Sequence, residues 1–199
     1  MRWPLARGVI TAAVVAATLP GCSDDADTAR AGDLPPAEVP ALVDVYEEEL
    51  AEHGMRLTDR GGLLDRANGY EVSEEGTHLA LYLEPTDARD ADAYLDGIVT
   101  LTALFAQDVF ERWPRLETFD VCQERTPAEI EDGWPPTLSQ VELTRETARS
   151  LDWETVELVD LLEATEDDPD SFVRVQHPLD QHADYLAAEE DAGLGGGGW

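Results

Sequence analysis

The feature that most constrains this chain is a long helical pattern enclosed by two strand patterns. Residues 87–113 begin with acidic side chains, which favour a helix N-terminus, and then carry one apolar stripe at helical spacing. The stripe consists of Tyr94, Ile98, Leu101, Leu104, Phe105, Val109 and Phe110. Residues 78–84 and 116–123, on either side, have the apolar content of buried strands. A strand, a helix and a strand in this order predict a crossover unit inside a sheet.

The remaining patterns predict two further helices and several short strands. Residues 39–53 and 144–162 each place apolar side chains at helical spacing. Short strand patterns occupy residues 55–64 and 70–73, broken by Gly61-Gly62 and Asn68-Gly69, and residues 138–143 and 171–175. Runs of strands between helices predict an α+β fold, a two-layer sandwich with about three helices on one face of a mostly antiparallel sheet.

The first 22 residues carry a separate pattern, which concerns targeting. Arg2 and Arg7 form a positive segment, and residues 9–19 are uncharged and apolar. That run has the length of a signal-peptide core and is too short to span a bilayer as a helix. It ends in the motif Leu19-Pro20-Gly21-Cys22. The motif resembles the lipobox of bacterial lipoprotein precursors, from which it departs at Pro20, where a small or aliphatic residue is commoner.

The resemblance implies that residues 1–21 are a signal peptide and that Cys22 is the lipidation site. In that family the cysteine thiol receives a diacylglyceryl group, and the signal is cut just before it. We therefore expect a lipid-anchored protein on the extracytoplasmic face of the cell membrane, held only through its acyl chains. An ordinary signal peptide with an incidental cysteine, or an uncleaved anchor, is the alternative. No other stretch approaches the length of a span, so we expect no transmembrane helix in the mature chain.

Composition divides the chain after the signal into three parts. Residues 22–36 are rich in Asp, Ala and Pro and predict a disordered tether. Residues 37–192 predict a single α+β domain, which is long enough to bury a core. Residues 193–199 are nearly all Gly and predict a flexible tail.

The charge balance is strongly acidic. The chain has 44 Asp and Glu against 13 basic residues, all of them Arg, and a formal net charge of −31. Such an excess argues against nucleic acid or an anionic membrane surface as a partner, because both would repel the protein. A heavily solvated surface is the first interpretation, and binding of cations or of a basic partner is the alternative.

Cys122 is the obvious candidate nucleophile. A thiol enzyme needs a nearby His to generate the thiolate, and no local motif ties a His to this cysteine. Cys122 lies in a predicted strand, and a free cysteine is usually buried, so we expect a core residue. If Cys22 carries lipid, Cys122 has no intramolecular partner, and the fold does not depend on a disulfide.

Two polar clusters near the C-terminus are candidate cation sites. The first consists of His177, Asp180, His182 and Asp184. Pro178 interrupts it and its spacing fits no zinc motif, so we expect surface residues and no metal. The second is the acidic run of residues 166–170, which contains Pro and no Gly and therefore predicts a solvated turn rather than a calcium loop.

Aromatic residues offer two further candidates. One set could line a ligand cavity, but its spacing is typical of a core: Phe105, Phe110, Trp113, Phe119 and Trp153. Trp134 lies beside two prolines in a predicted loop, so we expect it to be an exposed contact residue.

The sequence lacks the nucleophile elbow, the zinc-protease motif, the phosphate-binding loop and the S-x-x-K motif. We therefore expect a non-enzymatic interaction or binding module without a cofactor, whose partner is an envelope protein or a small ligand.

Two alternatives stay open. A ligand or lipid carrier would have an apolar cavity between helices and sheet. An envelope hydrolase, which the missing motifs make less favoured, would place Cys122 or a carboxylate pair beside a His in a cleft.

Overall fold

The computed structural model describes residue 35 and residues 40–194. Four predicted segments lie outside the described residues: the signal peptide, the lipobox-like motif with Cys22, most of the tether and residues 195–199 of the tail.

The described residues form seven α-helices and six strands. The helices are α1 Pro40–Glu52, α2 Ala91–Ala106, α3 Val109–Arg112, α4 Pro127–Glu131, α5 Arg145–Ser150, α6 Leu158–Glu166 and α7 Ala183–Asp191. The strands are β1 Met55–Asp65, β2 Glu71–Val72, β3 His78–Pro85, β4 Thr118–Glu124, β5 Thr137–Thr144 and β6 Phe172–Val175. Each predicted strand is present, with ends that differ from the prediction by a residue or two. The predicted break at Gly61-Gly62 is wrong, since β1 continues through both glycines and only shifts its register with β3 between Leu57 and Gly61.

The strands form one mixed sheet in the order β2-β1-β3-β4-β5-β6. β3 and β4 are parallel, and the other neighbouring pairs are antiparallel. Helix α2 lies in the connection between the two parallel strands, which confirms the predicted crossover unit. The α+β class is therefore confirmed, with a mixed sheet at its centre.

The apolar core lies on one face of this sheet. Leu79, Leu81 and Leu83 alternate along β3 and are fully buried. The register pairs Leu79 with Phe119 and Leu81 with Val121, so the same face of β4 is apolar. Helix α2 buries its predicted stripe in this cluster, together with residues of α1 and α3. Residues at the intervening positions of β3 and β4 face the opposite side.

The long helix predicted at residues 87–113 is shorter and divided. Asp90 caps α2 by accepting a hydrogen bond from the Ala93 amide at 3.0 Å, so the helix begins at Ala91. At the other end the Asp108 amide bonds to the Phe105 carbonyl, a tighter turn that separates α2 from α3. The Asp108 carboxylate accepts a hydrogen bond from the Tyr46 hydroxyl at 2.8 Å, which ties this break to α1.

The helix predicted at residues 144–162 is wrong as a single element, since α5 and α6 are separate. The indole N–H of Trp153 donates to the Ala148 carbonyl at 2.7 Å and occupies an acceptor that a continuing helix would use. The Glu157 amide then bonds to the Asp160 carboxylate at 2.8 Å and opens α6. This break, the division of α2 from α3, and the helices α4 and α7, which no pattern indicated, raise the helix count from the predicted three to seven among the described residues.

The helical run Ala91–Arg112 is long and apolar enough to cross a membrane by length and composition. This result differs from the expectation that no such stretch follows the signal. Half of the most apolar segment of this run is buried, and α2 packs into the apolar core against the sheet. The composition of this run is therefore also that of a core helix.

Gly97 allows α2 to approach β4 closely. A Cβ at this position would lie 2.4 Å from Gln123 Oε1. The Gln123 amide is held in place because its Nε2 donates to the Tyr94 carbonyl and to Ser139 Oγ, each at 2.9 Å. A methyl group therefore has no room here unless this buried network moves.

We expect Gly97→Ala to lower the free energy of unfolding by about 1–3 kcal/mol, the usual cost of overpacking. Alanine favours a helix over glycine by about 1 kcal/mol, so propensity alone would give the opposite sign. Urea unfolding measures the change. The Gln123→Ala variant lacks the side chain that the new methyl group would meet. In that variant, Gly97→Ala should not lower the free energy of unfolding. An equal cost in both backgrounds would contradict this account.

Candidate functional site

An open groove of about 660 Å³ lies on the sheet face opposite the apolar core. Residues of all six strands line it, together with Tyr70, which precedes β2. Its floor contains three ionisable side chains at neighbouring register positions: His78 of β3, Asp120 of β4 and Glu142 of β5. Asp120 of β4 pairs with Glu142 of β5. In β3, the residue that pairs with Asp120 is Ala80, and His78 lies two positions before it on the same face.

The three side chains are almost completely buried and lie close together. His78 exposes 1% of its surface, and Asp120 and Glu142 each expose 3%. His78 Nε2 lies 3.8 Å from Asp120 Oδ2, and His78 Nδ1 lies 3.8 Å from Glu142 Oε1. Each ring nitrogen of the imidazole therefore faces a carboxylate.

Two polar neighbours hold this cluster in place. His78 Nδ1 makes a hydrogen bond with the Thr118 hydroxyl at 2.8 Å. Gln140 Nε2 donates to Asp120 Oδ2 at 2.7 Å. The imidazole ring and one carboxylate are thereby fixed in orientation.

The cluster has unsatisfied acceptors. Asp120 Oδ1 and Glu142 Oε1 are buried and have no hydrogen-bond partner within the described part of the chain. The Arg66 guanidinium approaches Glu142 Oε1 at 3.3 Å without forming a hydrogen bond. Burial raises the pKa of Glu142, although the charges of His78 and Arg66 oppose that shift. Buried carboxylate oxygens without a partner are costly, so the floor favours a bound cation.

Two arginines stacked on aromatic rings line the groove beside this floor. Arg60 lies over the Tyr82 ring at 4.5 Å, and Arg174 lies over the Phe172 ring at 4.9 Å. Arg66 lies 6.0 Å from the centre of the Tyr70 ring. Arg60 and Arg174 line the groove, whereas Arg66 reaches it only through its contacts with Glu142 and Tyr70. The groove therefore combines an anionic floor with a cationic and aromatic rim.

Cys122 lies beside the floor and is buried, as predicted. It points to the groove side of β4, outside the apolar cluster, with Sγ 3.7 Å from Asp120 Oδ2. Burial, followed by the charge of Asp120, raises the pKa of the thiol. The thiolate that a nucleophile requires is thus strongly disfavoured.

The predicted C-terminal cluster does not form one site. His177 lies 3.6 Å from Asp180 and stacks on Trp134, with ring centres 5.5 Å apart. His182 instead pairs with Asp92 at the start of α2, with Nε2 and Oδ1 separated by 2.9 Å. Asp184 lies next to His182 but is exposed.

The aromatic residues occupy the positions that their spacing indicated. The set predicted for the core is buried or packed against it: Phe105, Phe110, Trp113, Phe119 and Trp153. Trp134 is 45% exposed, which confirms the predicted exposure of this loop residue. Arg125 lies under its ring at 5.1 Å, so one face of the indole is covered.

The acidic run contains a structural anchor. The Asp168 carboxylate accepts hydrogen bonds from several donors: the Thr144 and Thr147 hydroxyls at 2.6 Å, the Ser171 hydroxyl at 2.8 Å and the Asp170 amide at 3.0 Å. Partial burial would raise the pKa of Asp168, but these hydrogen bonds outweigh it and lower the pKa to about 2. The run is thus a loop fixed to the start of α5.

Sequence reasoning named neither His78, Asp120 nor Glu142 as a site residue. Two charged residues inside strands that are otherwise apolar were the available signal, since such positions are usually buried. The resulting arrangement is a carboxylate pair beside a His in a groove, which was expected of the hydrolase alternative.

No protein-family model matches the chain, and neither curated proteins nor solved structures give a significant match.

We expect Asp168→Asn to lower the free energy of unfolding at neutral pH by about 1–2 kcal/mol, since an amide replaces a charged acceptor. The folded pKa of about 2 lies below the ordinary value of 3.8, so the stabilisation is complete above the ordinary value. It is lost as the pH falls through the folded pKa. Urea unfolding between neutral pH and pH 2 should therefore show the two proteins converging.

Asp167→Asn is the matched control, because its side chain makes no hydrogen bond to any described residue. The proposed role of Asp168 would be contradicted if the difference in unfolding free energy between Asp168→Asn and the original protein stayed constant with pH.

Proposed function

We propose that this protein is a lipid-anchored, non-enzymatic binding module on the extracytoplasmic face of the cell membrane. The signal pattern and the motif ending at Cys22 support the anchor, with Cys22 as the lipidated residue. The groove on the strand-lined face is its binding site. The same proposal takes the fold as a two-layer sandwich, in which the helices cover one face of the sheet and the groove occupies the other.

The ligand that fits this groove is a small molecule with an anionic group. One observation carries this step: in a chain with a net charge of −31, two of the 13 arginines, Arg60 and Arg174, line a single concave surface. The overall field repels anions, so a local cluster of guanidinium groups is needed to attract one. A guanidinium binds carboxylate or phosphate through paired hydrogen bonds. Nucleic acid is too large and too highly charged for a groove of about 660 Å³ in so acidic a protein.

The carrier alternative placed a cavity between helices and sheet, whereas this groove lies on the other face and has a charged floor. The hydrolase alternative has one observation in its favour, the carboxylate pair beside His78. Binding is the better supported function for two reasons. The sequence lacks the motifs of common hydrolases, and the raised pKa of Cys122 disfavours its thiolate.

The anchor is tested by labelling bacteria that express the full chain with an alkyne analogue of palmitate. We expect the protein to incorporate label and to remain with membranes. Cys22→Ser should incorporate none and be released, because the acceptor thiol is gone. Cys122→Ser is the matched control and should behave like the original protein. Equal labelling of the Cys22→Ser variant would contradict the proposed anchor.

The binding site is tested by native mass spectrometry of the full chain purified from its own envelope. We expect one small-molecule adduct per chain, with the adduct reduced at least tenfold in Arg174→Gln, which removes an exposed charge from the rim. Arg149→Gln removes the same charge from the exposed side of α5 and should leave the adduct unchanged.

Three outcomes would contradict the proposal. The first is a bare chain, and the second is an adduct that Arg174→Gln retains in full. The third is an adduct that the protein converts to a different mass, which would favour the hydrolase.

A further inference from the structure

We propose that His78, Asp120 and Glu142 form a binding site for one divalent transition-metal ion at the floor of the groove. The inference uses the groove of the proposed function and names what occupies its floor, so it rests on that function for its biological role. The metal site itself stands on the geometry of the three side chains.

The donor set indicates which class of ion would bind. One imidazole nitrogen and two carboxylates form a mixed nitrogen and oxygen set. Calcium and magnesium are held in proteins by oxygen ligands, whereas manganese and zinc accept imidazole and carboxylate together. We therefore infer an ion such as Mn²⁺ or Zn²⁺ rather than Ca²⁺ or Mg²⁺.

The separations between the ligand atoms suit such an ion. One ligand atom from each residue lies within 4.8 Å of the others. His78 Nε2, the nitrogen that Thr118 leaves free, lies 3.8 Å from Asp120 Oδ2, whereas the 3.8 Å separation from Glu142 Oε1 is measured from Nδ1. Ligands about 2.1 Å from a tetrahedral ion are about 3.4 Å apart. Small rotations of the carboxylate groups would close the difference, and Glu142 has the additional rotatable bond that this requires.

The unsatisfied oxygens are the independent observation that points to a ligand. Asp120 Oδ1 and Glu142 Oε1 are buried and lack a hydrogen-bond partner among the described residues. Asp120 and Glu142 both line the groove, so an ion that enters from solvent can reach them. Both residues are only 3% exposed, so burying their carboxylates costs free energy. A bound cation would satisfy both oxygens and remove that cost.

The surrounding residues match the support that metal ligands require. The Thr118 hydroxyl contacts Nδ1 of His78, which orients the ring and leaves Nε2 for the ion. The Gln140 amide donates to Asp120 Oδ2 and fixes that carboxylate. Such partners hold ligands in the orientation that an ion needs, and losing one typically weakens metal binding about 10–100-fold.

A second group of the same residue types serves as a comparison. Asp92, His182 and Asp184 also bring ligand atoms within 4.8 Å of one another. The side chains of Asp92 and Asp184 are 75% and 84% exposed, so water solvates their oxygens. No orphaned buried atom occurs in this group among the described residues, and we infer no site there.

The site would explain how an acidic floor and a cationic rim serve one ligand. Three protein ligands leave coordination positions open on a small divalent ion. An anionic group of the bound molecule could take such a position while Arg60 or Arg174 pairs with its remaining oxygens. The floor and the rim would then hold the same anionic group from opposite sides.

The test uses the full chain in detergent at physiological salt, with bound metal first removed by a chelator. Isothermal titration with Zn²⁺ or Mn²⁺ alone should show one ion per chain, bound at least tenfold more tightly than Ca²⁺ or Mg²⁺. Asp120→Asn and Glu142→Gln keep the side-chain shape and remove a ligand charge. Each should weaken binding by at least about 100-fold, more than the loss of a supporting partner. Asp92→Asn removes one charge from the exposed cluster and should change nothing.

A spectroscopic measurement identifies the nitrogen ligand. Electron spin echo experiments on the Mn²⁺-loaded protein should show coupling to an imidazole nitrogen. His78→Gln should abolish that coupling, and His182→Gln should retain it. Circular dichroism confirms that each variant is folded.

Three results would overturn the inference: no binding at one equivalent, equal weakening by Asp120→Asn and Asp92→Asn, or nitrogen coupling that persists in folded His78→Gln. The proposed function fails separately. If the native adduct depends on Arg174 while no metal binds, the binding module stands and the metal site is wrong.

Discussion

The packing of α2 against the parallel pair β3 and β4 is the constraint on which the rest of the structure depends. Parallel strands cannot be joined by a tight turn, so the chain must leave the sheet, cross it as a helix and return. That helix carries the apolar stripe, and it packs closely because Gly97 leaves room for the Gln123 side chain. The positions that alternate with the core residues of β3 and β4 are thereby directed to the other face, where the groove lies.

On that other face, charged and aromatic side chains replace helices as the cover of the sheet. Arg60 covers Tyr82 and pairs with Glu124, while Arg66 approaches Glu142. Arginine suits these positions because its planar guanidinium can stack on an aromatic ring and pair with a carboxylate at the same time. The arrangement buries acidic groups without neutralising all of them. An incompletely satisfied floor beneath a polar rim is typical of a binding site and would be a defect in a purely structural layer.

The strand and helix patterns predicted most of the elements, and the failures have local causes. The helix predicted at residues 144–162 has the correct apolar spacing, yet Trp153 takes the Ala148 carbonyl and ends α5 early. That bond depends on where the indole can pack, which periodicity does not report. The site was missed for a related reason. His78, Asp120 and Glu142 are far apart in the chain, and only the strand register brings them together.

The sequence by itself determined the α+β class, the central crossover and the face of each main helix, because periodicity in one segment encodes which side is buried. It also carries the motif that resembles a lipobox, and such a motif depends on the linear order of residues rather than on a fold. Only the tertiary structure decided the sheet order, the breaks in the helices and the groove with its three ionisable residues. These depend on contacts between distant segments, and such contacts are set by strand register and close packing rather than by any local pattern.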